Sequence, residues 1–122
     1  MAAPNILSAT SIYGKQVGAA LDTTTTTSLL ANAASSNKLL KINSIIVANV
    51  DGSSSADATV SWYDGSTDYH LAKTVAVPAD STLVVVGKDS PIYLEEGHSI
   101  RGGAGTNSDL EVLICYDELD DA

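Results

Sequence analysis

Asp51-Gly52-Ser53-Ser54-Ser55 is the sharpest chemical motif in the chain, a D-x-S-x-S run behind an apolar strand pattern. One carboxylate and two hydroxyls at that spacing can hold a divalent cation when the loop runs into a helix that fixes them. Here the loop runs into ADATVSWY, which alternates like a strand, so a Ser-rich turn is the better reading. The acids from Asp51 to Asp57 also lack the spacing and terminal Glu of an EF-hand loop. His70 and His98 have no histidine partner at HxH or HxxxH spacing, and both read as surface or interface residues. Cys115 would need a base, an orienting group and oxyanion donors to act as a nucleophile. It sits in the apolar run LEVLICY and reads as a small packed hydrophobe. Glu95 and Glu96 are adjacent, so in a strand they point to opposite faces and cannot share a glycosidic bond. Gly102 to Asp109, GGAGTNSD, lacks the Lys-Ser/Thr ending of a phosphate loop and reads as an exposed hairpin loop. No catalytic residue, cofactor site or metal site is therefore expected, and the chain reads as a non-enzyme.

The elements that would position these groups are short strands. Turn-forming clusters recur at Asn5, Ser35-Ser36-Asn37, Asp51-Gly52-Ser53, Asp64-Gly65-Ser66, Pro78-Ala79-Asp80, Lys88-Asp89-Ser90-Pro91, Glu96-Gly97 and Gly102 onward. That regular punctuation marks an all-β sandwich or barrel. Ala58, Val60 and Trp62 fall on one face of a strand, with Thr59, Ser61 and Tyr63 on the other. Leu110, Val112, Ile114 and Tyr116 oppose Glu111, Leu113, Cys115 and Asp117 in the same way. Asp64-Gly65-Ser66 and Val77-Pro78-Ala79-Asp80 both read as tight hairpins. Ile12, Val17, Ala19 and Leu21 form a strand pattern. The five threonines from Thr23 to Thr27 read as an edge β-segment or as an arm ordered by a neighbour. Leu29 to Ala34, LLANAA, is the best candidate for a turn of helix.

Lys38 to Gly65 reads as strand, turn, strand, and its first strand is apolar on both faces. Leu40, Ile42, Ile46, Ala48 and Val50 share one side of a period-2 pattern, and Leu39, Ile45 and Val47 share the other. Leu83 to Val86 is apolar throughout. A chain of 122 residues has one core and one inner face per sheet to cover. The second faces of these strands then imply a partner subunit. Leu39, Ile45, Val47, Val84 and Val86 are the expected interface residues, and Ile45→Asp is expected to dissociate the protein without unfolding it.

Composition narrows the class. The chain is 44% hydrophobic and 17% charged, which excludes a disordered protein. A net charge of −9 disfavours nucleic acid and anionic membranes as partners. One cysteine excludes an internal disulfide framework. MAAPNILSAT has no basic stretch followed by a long apolar one, so no secretory signal is expected, and no run is long enough for a membrane-spanning helix. One domain over residues 1–122 is expected, with 1–10 as an N-terminal arm and 117–122 as an acidic C-terminal tail.

KINSIIVANVDGSSSADATVSWYDG, AKTVAVPADSTLVVVGKDSPIYLEEGHSI and DLEVLICYDEL together resemble small virion structural proteins of tailed bacteriophages. The resemblance covers roughly residues 10–119 and is most specific at VPADSTLVVV and PIYLEEGHSIR, the latter similar to corner hairpins of viral jelly-roll proteins. It implies an antiparallel, jelly-roll-like β-sandwich that decorates or cements a phage capsid, or that serves at the neck, collar or tail-fibre base. It implies a homo-oligomer, a trimer where such phage surface parts follow three-fold positions, made in the host cytoplasm and carried on the virion, bound to capsid or neck and tail proteins. The competing reading is a carbohydrate-binding adhesion module, which needs exposed aromatics on one face. Tyr63, Tyr69 and Tyr93 are the candidate surface contacts.

Overall fold

The computed structural model describes residues 11–87, 89–106 and 109–120. The expected arm, 1–10, lies outside them. Among the described residues there are nine strands and no helix: β1 (Ser11–Ala20), β2 (Ser28–Ala31), β3 (Lys38–Asn49), β4 (Ala56–Tyr63), β5 (Asp68–Val77), β6 (Thr82–Val86), β7 (Ile92–Leu94), β8 (Ser99–Ala104) and β9 (Leu110–Asp120). All pairings are antiparallel. One sheet runs β1-β9-β3-β6, with β7 pairing β3 beyond the end of β6, and the other runs β2-β8-β4-β5. With β6 and β7 taken as one broken strand, eight strands divide into two four-stranded sheets. That is the jelly roll, and the expected fold class is correct.

Most connections pass between the sheets. Only β4 to β5 is a hairpin, closed at Tyr63↔Asp68 as the Asp64-Gly65-Ser66 turn predicts. Asp64 Oδ1 accepts hydrogen bonds from the Ser66 and Thr67 amides and the Ser66 hydroxyl, and Gly65 takes a φ of +99°. The expected Pro78 hairpin is corrected. Val77 ends a strand of one sheet and Thr82 begins a strand of the other, so the turn is an arch across the sandwich. Pro78 stops the ladder in either case, which is why the local pattern could not separate the two. PIYLEEGHSIR is a corner of the same kind, from β7 in one sheet to β8 in the other.

The core lies between the sheets. Ile42, Ile45, Val47, Val60, Leu94, Ile100, Leu110 and Ile114 are fully buried in it. The alternation expected for β4 and β9 is present, with Ala58 and Val60 inward on one strand and Leu110, Val112 and Ile114 inward on the other.

The face assignment of β3 is corrected. The register runs Ile42↔Tyr116 and then Ser44↔Cys115, so Asn43 is an extra residue in a β-bulge. An extra residue reverses which side chains point inward beyond it. Leu40 and Ile42 point into the core before the bulge, and Ile45 and Val47 point into it after the bulge, both 0% exposed. Ile46 and Ala48 therefore face outward. Val86 opposes Ile45 and is buried as well. Leu39 opposes Leu119, and both are buried. Of the five expected interface residues only Val84 is exposed, at 61%. Four of the five are thus buried within the subunit.

Four smaller expectations are also corrected. LLANAA is not helical: its first residues lie in β2. The threonine run is a turn held by Asp22, whose Oδ1 accepts from the Thr24 amide and the Thr27 hydroxyl. Gly102 and Gly103 are buried strand residues of β8, not a loop. A Cβ on Gly102 would stand 2.7 Å from the Thr59 carbonyl oxygen, and one on Gly103 2.6 Å from that of Thr24. β4 at Thr59 and the turn at Asp22 to Thr24 pass this close, and only glycine admits them. The acidic tail is also strand: Asp117 to Asp120 complete β9, where Glu118 pairs with Lys15 (3.0 Å) and Lys38 (3.7 Å).

Candidate interaction surfaces

Two buried asparagines fix the ends of the sandwich. Asn49, at the end of β3, donates from Nδ2 to the carbonyls of Ser54 (3.0 Å) and Val77 (2.8 Å), and its Oδ1 accepts from the Asp51 amide. It ties the arch after β5 to the loop after β3. Asn32, after β2, donates to the carbonyls of Lys38 and Leu94, and its Oδ1 accepts from the Ser36 hydroxyl. Both side chains act in place of backbone pairing where the chain leaves a sheet. Neither was singled out from the sequence. The usable signal was an Asn at the junction of an apolar run and a turn.

The outer face of the four-stranded sheet is polar and internally satisfied. Arg101 on β8 reaches Asp68 on β5 (2.9 Å), whose other oxygen accepts from the Ser61 hydroxyl (3.1 Å). The Arg101 guanidinium lies 3.8 Å from the Tyr63 ring centroid, and the Tyr63 hydroxyl donates to the Gly65 carbonyl. The tyrosines do not gather. Tyr63 is covered on one ring face by Arg101. Tyr69 is 53% exposed but lies at the sandwich rim beside Trp62, with ring centroids 5.6 Å apart. Tyr93 is exposed on β7 of the other sheet, opposite Lys41. The flat aromatic platform that glycan stacking requires is absent from these three.

The remaining chemical candidates are scattered. Asp51 Oδ1 accepts from the amide and hydroxyl of Ser53, a closed turn that lowers its pKa. Loss of solvation and the nearby Asp51 carboxylate push Asp109 up. His98 Nδ1 accepts from the Glu95 amide, and its ring stands edge-on to Trp62 at 5.2 Å. The Cys115 thiol donates to Gln16 Oε1 at 3.3 Å. Among the described residues no group of three or more His, Cys, Asp or Glu side chains is placed to hold a metal ion.

The outer face of the five-stranded sheet is different. The registers align Gly18, Leu113, Ile46 and Val84 in one row across four strands, and Ala20, Glu111, Ala48 and Thr82 in the next. The first row has no charge and the second has one. An open depression of about 510 Å³ spans them, floored by Gly18, Ala20, Ile46, Ala48 and Leu113. A second, of about 390 Å³, continues along the strands past Gly14, Gln16, Asn43 and Cys115. The small β1 residues make the trough.

No protein-family model and no curated protein sequence matches the chain. Among solved structures it superposes on a chain of Bacillus endospore appendages, disulfide-linked pili, with a TM-score of 0.53 at 11% identity, over 92% of this chain and 90% of that one. It is also similar to a pentameric capsid protein from metagenomic phage sequences (TM-score 0.38, 17% identity, 86% of this chain and 60% of that one). The capsid of Ralstonia phage GP4 gives a TM-score of 0.39 at 14% identity, over 100% and 92%. The first shows a shared fold. The phage capsid chains lie below that level of likeness and add no weight to it. The class defined here is a jelly-roll β-sandwich.

Proposed function

We propose that this protein is a non-enzymatic structural subunit of a phage particle, assembling with copies of itself and decorating or cementing the head. The observation that carries the reading is the outer face of the five-stranded sheet. A row from Gly18 through Leu113 and Ile46 to an exposed Val84 is apolar on a chain with a net charge of −9. Such a face is suited to burial against another protein and unsuited to permanent exposure. The occupant we assign to it is a neighbouring structural subunit. Support of a weaker kind comes from the fold, since a jelly roll of the same span serves as a unit of endospore pili. Of the residues first expected only Val84 carries the assignment, because Ile45, Val47, Val86 and Leu39 are buried within the subunit.

Electron microscopy of heads produced with and without the protein tests the reading. Density on the head surface that disappears with Val84→Asp supports decoration. Filaments of the isolated protein, with bare heads, would instead make it a fibre subunit.

A further inference from the structure

The geometry points to β1 as a copy-to-copy seam, along which two subunits pair edge to edge into one continuous sheet. This rests on the structural-subunit reading and adds the surface, the partner and the register. The four sheet edges differ. β2 has four residues and an irregular register. β6 has five and a register shift. β5 carries two register shifts and a left-handed Thr74 at a φ of +52°. Each is blunted as edges usually are. β1 has ten residues in unbroken register with β9, and among the described residues nothing pairs with its other side.

Which backbone groups are open follows from one bond. The Leu21 amide donates to the Leu110 carbonyl (2.8 Å), and bonded pairs alternate in an antiparallel ladder. In the unbroken β1–β9 register, odd-numbered residues point their amides at β9. Ile12, Gly14, Gln16, Gly18 and Ala20 then point theirs outward. These five also share the outer face of the sheet. A second copy is the partner that fits. β1 carries Lys15 and no acid, in a chain of net charge −9, so two copies meet there without opposing carboxylates. A two-fold axis through Lys15 would set like charges against each other. Moved one residue, to Gln16, the axis sets Gln16 against Gln16, Gly14 against Gly18 and Ile12 against Ala20, with all the outward amides in bonded pairs. Gly14 and Gly18 have no positive φ, and added Cβ atoms would meet only ordinary contacts at 3.6–3.8 Å. Nothing inside the subunit calls for glycine there, whereas close approach of another backbone does.

Sedimentation of the full-length chain reads the seam. Gln16→Pro removes an outward amide and, inside the subunit, only the exposed Cys115 thiol to Gln16 side-chain hydrogen bond, so it should raise the dimer dissociation constant about tenfold or more with little change in melting temperature. Gly18→Asp should do the same. In a Cys115→Ser background, Gln16→Cys should oxidise to a covalent dimer, and this measurement decides the matter if the proline variant fails to fold. A wild-type monomer at all concentrations, as when residues 1–10 of the same copy cover the edge, overturns the seam. An oligomer that neither variant weakens and that Gln16→Cys does not cross-link overturns the seam as well, while leaving attachment to heads, and its loss in Val84→Asp, as a separate result.

Discussion

The two outer faces of this sandwich are built from the same kind of strand and have opposite chemistry. On the four-stranded sheet, Arg101, Asp68, Ser61 and Tyr63 satisfy one another and leave little for a partner to bind. On the five-stranded sheet, Gly18, Leu113, Ile46 and Val84 offer shape and no polar groups. The first face is finished in the isolated subunit. The second gains by being covered. The difference teaches that a small jelly roll can direct its contacts to one side by saturating the other.

The contrast presumes one shared core, and the largest effect tests that. Ile45→Asp would place an unpaired carboxylate at a site 0% exposed. A cost of roughly 5 kcal/mol or more is expected, comparable to a whole domain's stability. Circular dichroism should show an unfolded chain; a folded, dissociated one would return Ile45 to the surface. Asn49→Ala comes next. It orphans the buried Val77 carbonyl, at about 1–3 kcal/mol, and frees the part-buried Ser54 carbonyl and Asp51 amide at smaller cost, and a marked fall in denaturation midpoint is expected. Val84→Asp should leave stability within about 0.5 kcal/mol yet weaken attachment to heads, whereas Arg101→Ala should leave attachment intact and cost at most about 1 kcal/mol. Co-sedimentation of the pair with heads decides which face makes contacts, and equal effects would erase the distinction.

The smallest effect is in acid. Backbone hydrogen bonds from Thr67 and Ser66 hold the Asp64 carboxyl below its ordinary value of 3.8. A depressed carboxyl contributes stability above that value and loses it as pH falls through the lower, folded value. Melting temperature should therefore drop less steeply below pH 3.8 in Asp64→Asn than in the wild type.

What the sequence made legible was the class and the regular strands. Period-2 alternation placed Val60, Leu110, Val112 and Ile114 inward, and Asp64-Gly65 marked the one true hairpin. It failed where the period breaks. Asn43 interrupts β3 with a bulge, so strict alternation put Ile45 and Val47 on the wrong face. Pro78 and the β7 to β8 corner read as local turns because a hairpin and an arch between sheets use the same residues. Thr23 to Thr27 have strand propensity, but Asp22 captures two of them in a turn. The apolar trough was invisible for a related reason. Its row joins β1, β9, β3 and β6, which lie far apart in sequence and meet only through the register.

That distance has a consequence during synthesis. β1 emerges well before its partner β9, Ser11 meeting Asp120. Until then a long, unblunted strand travels without its mate, available to the same strand on any nascent neighbour. Ribosomes spaced closely on one message would favour such premature matches, and slowing initiation should raise the yield of correctly closed subunits.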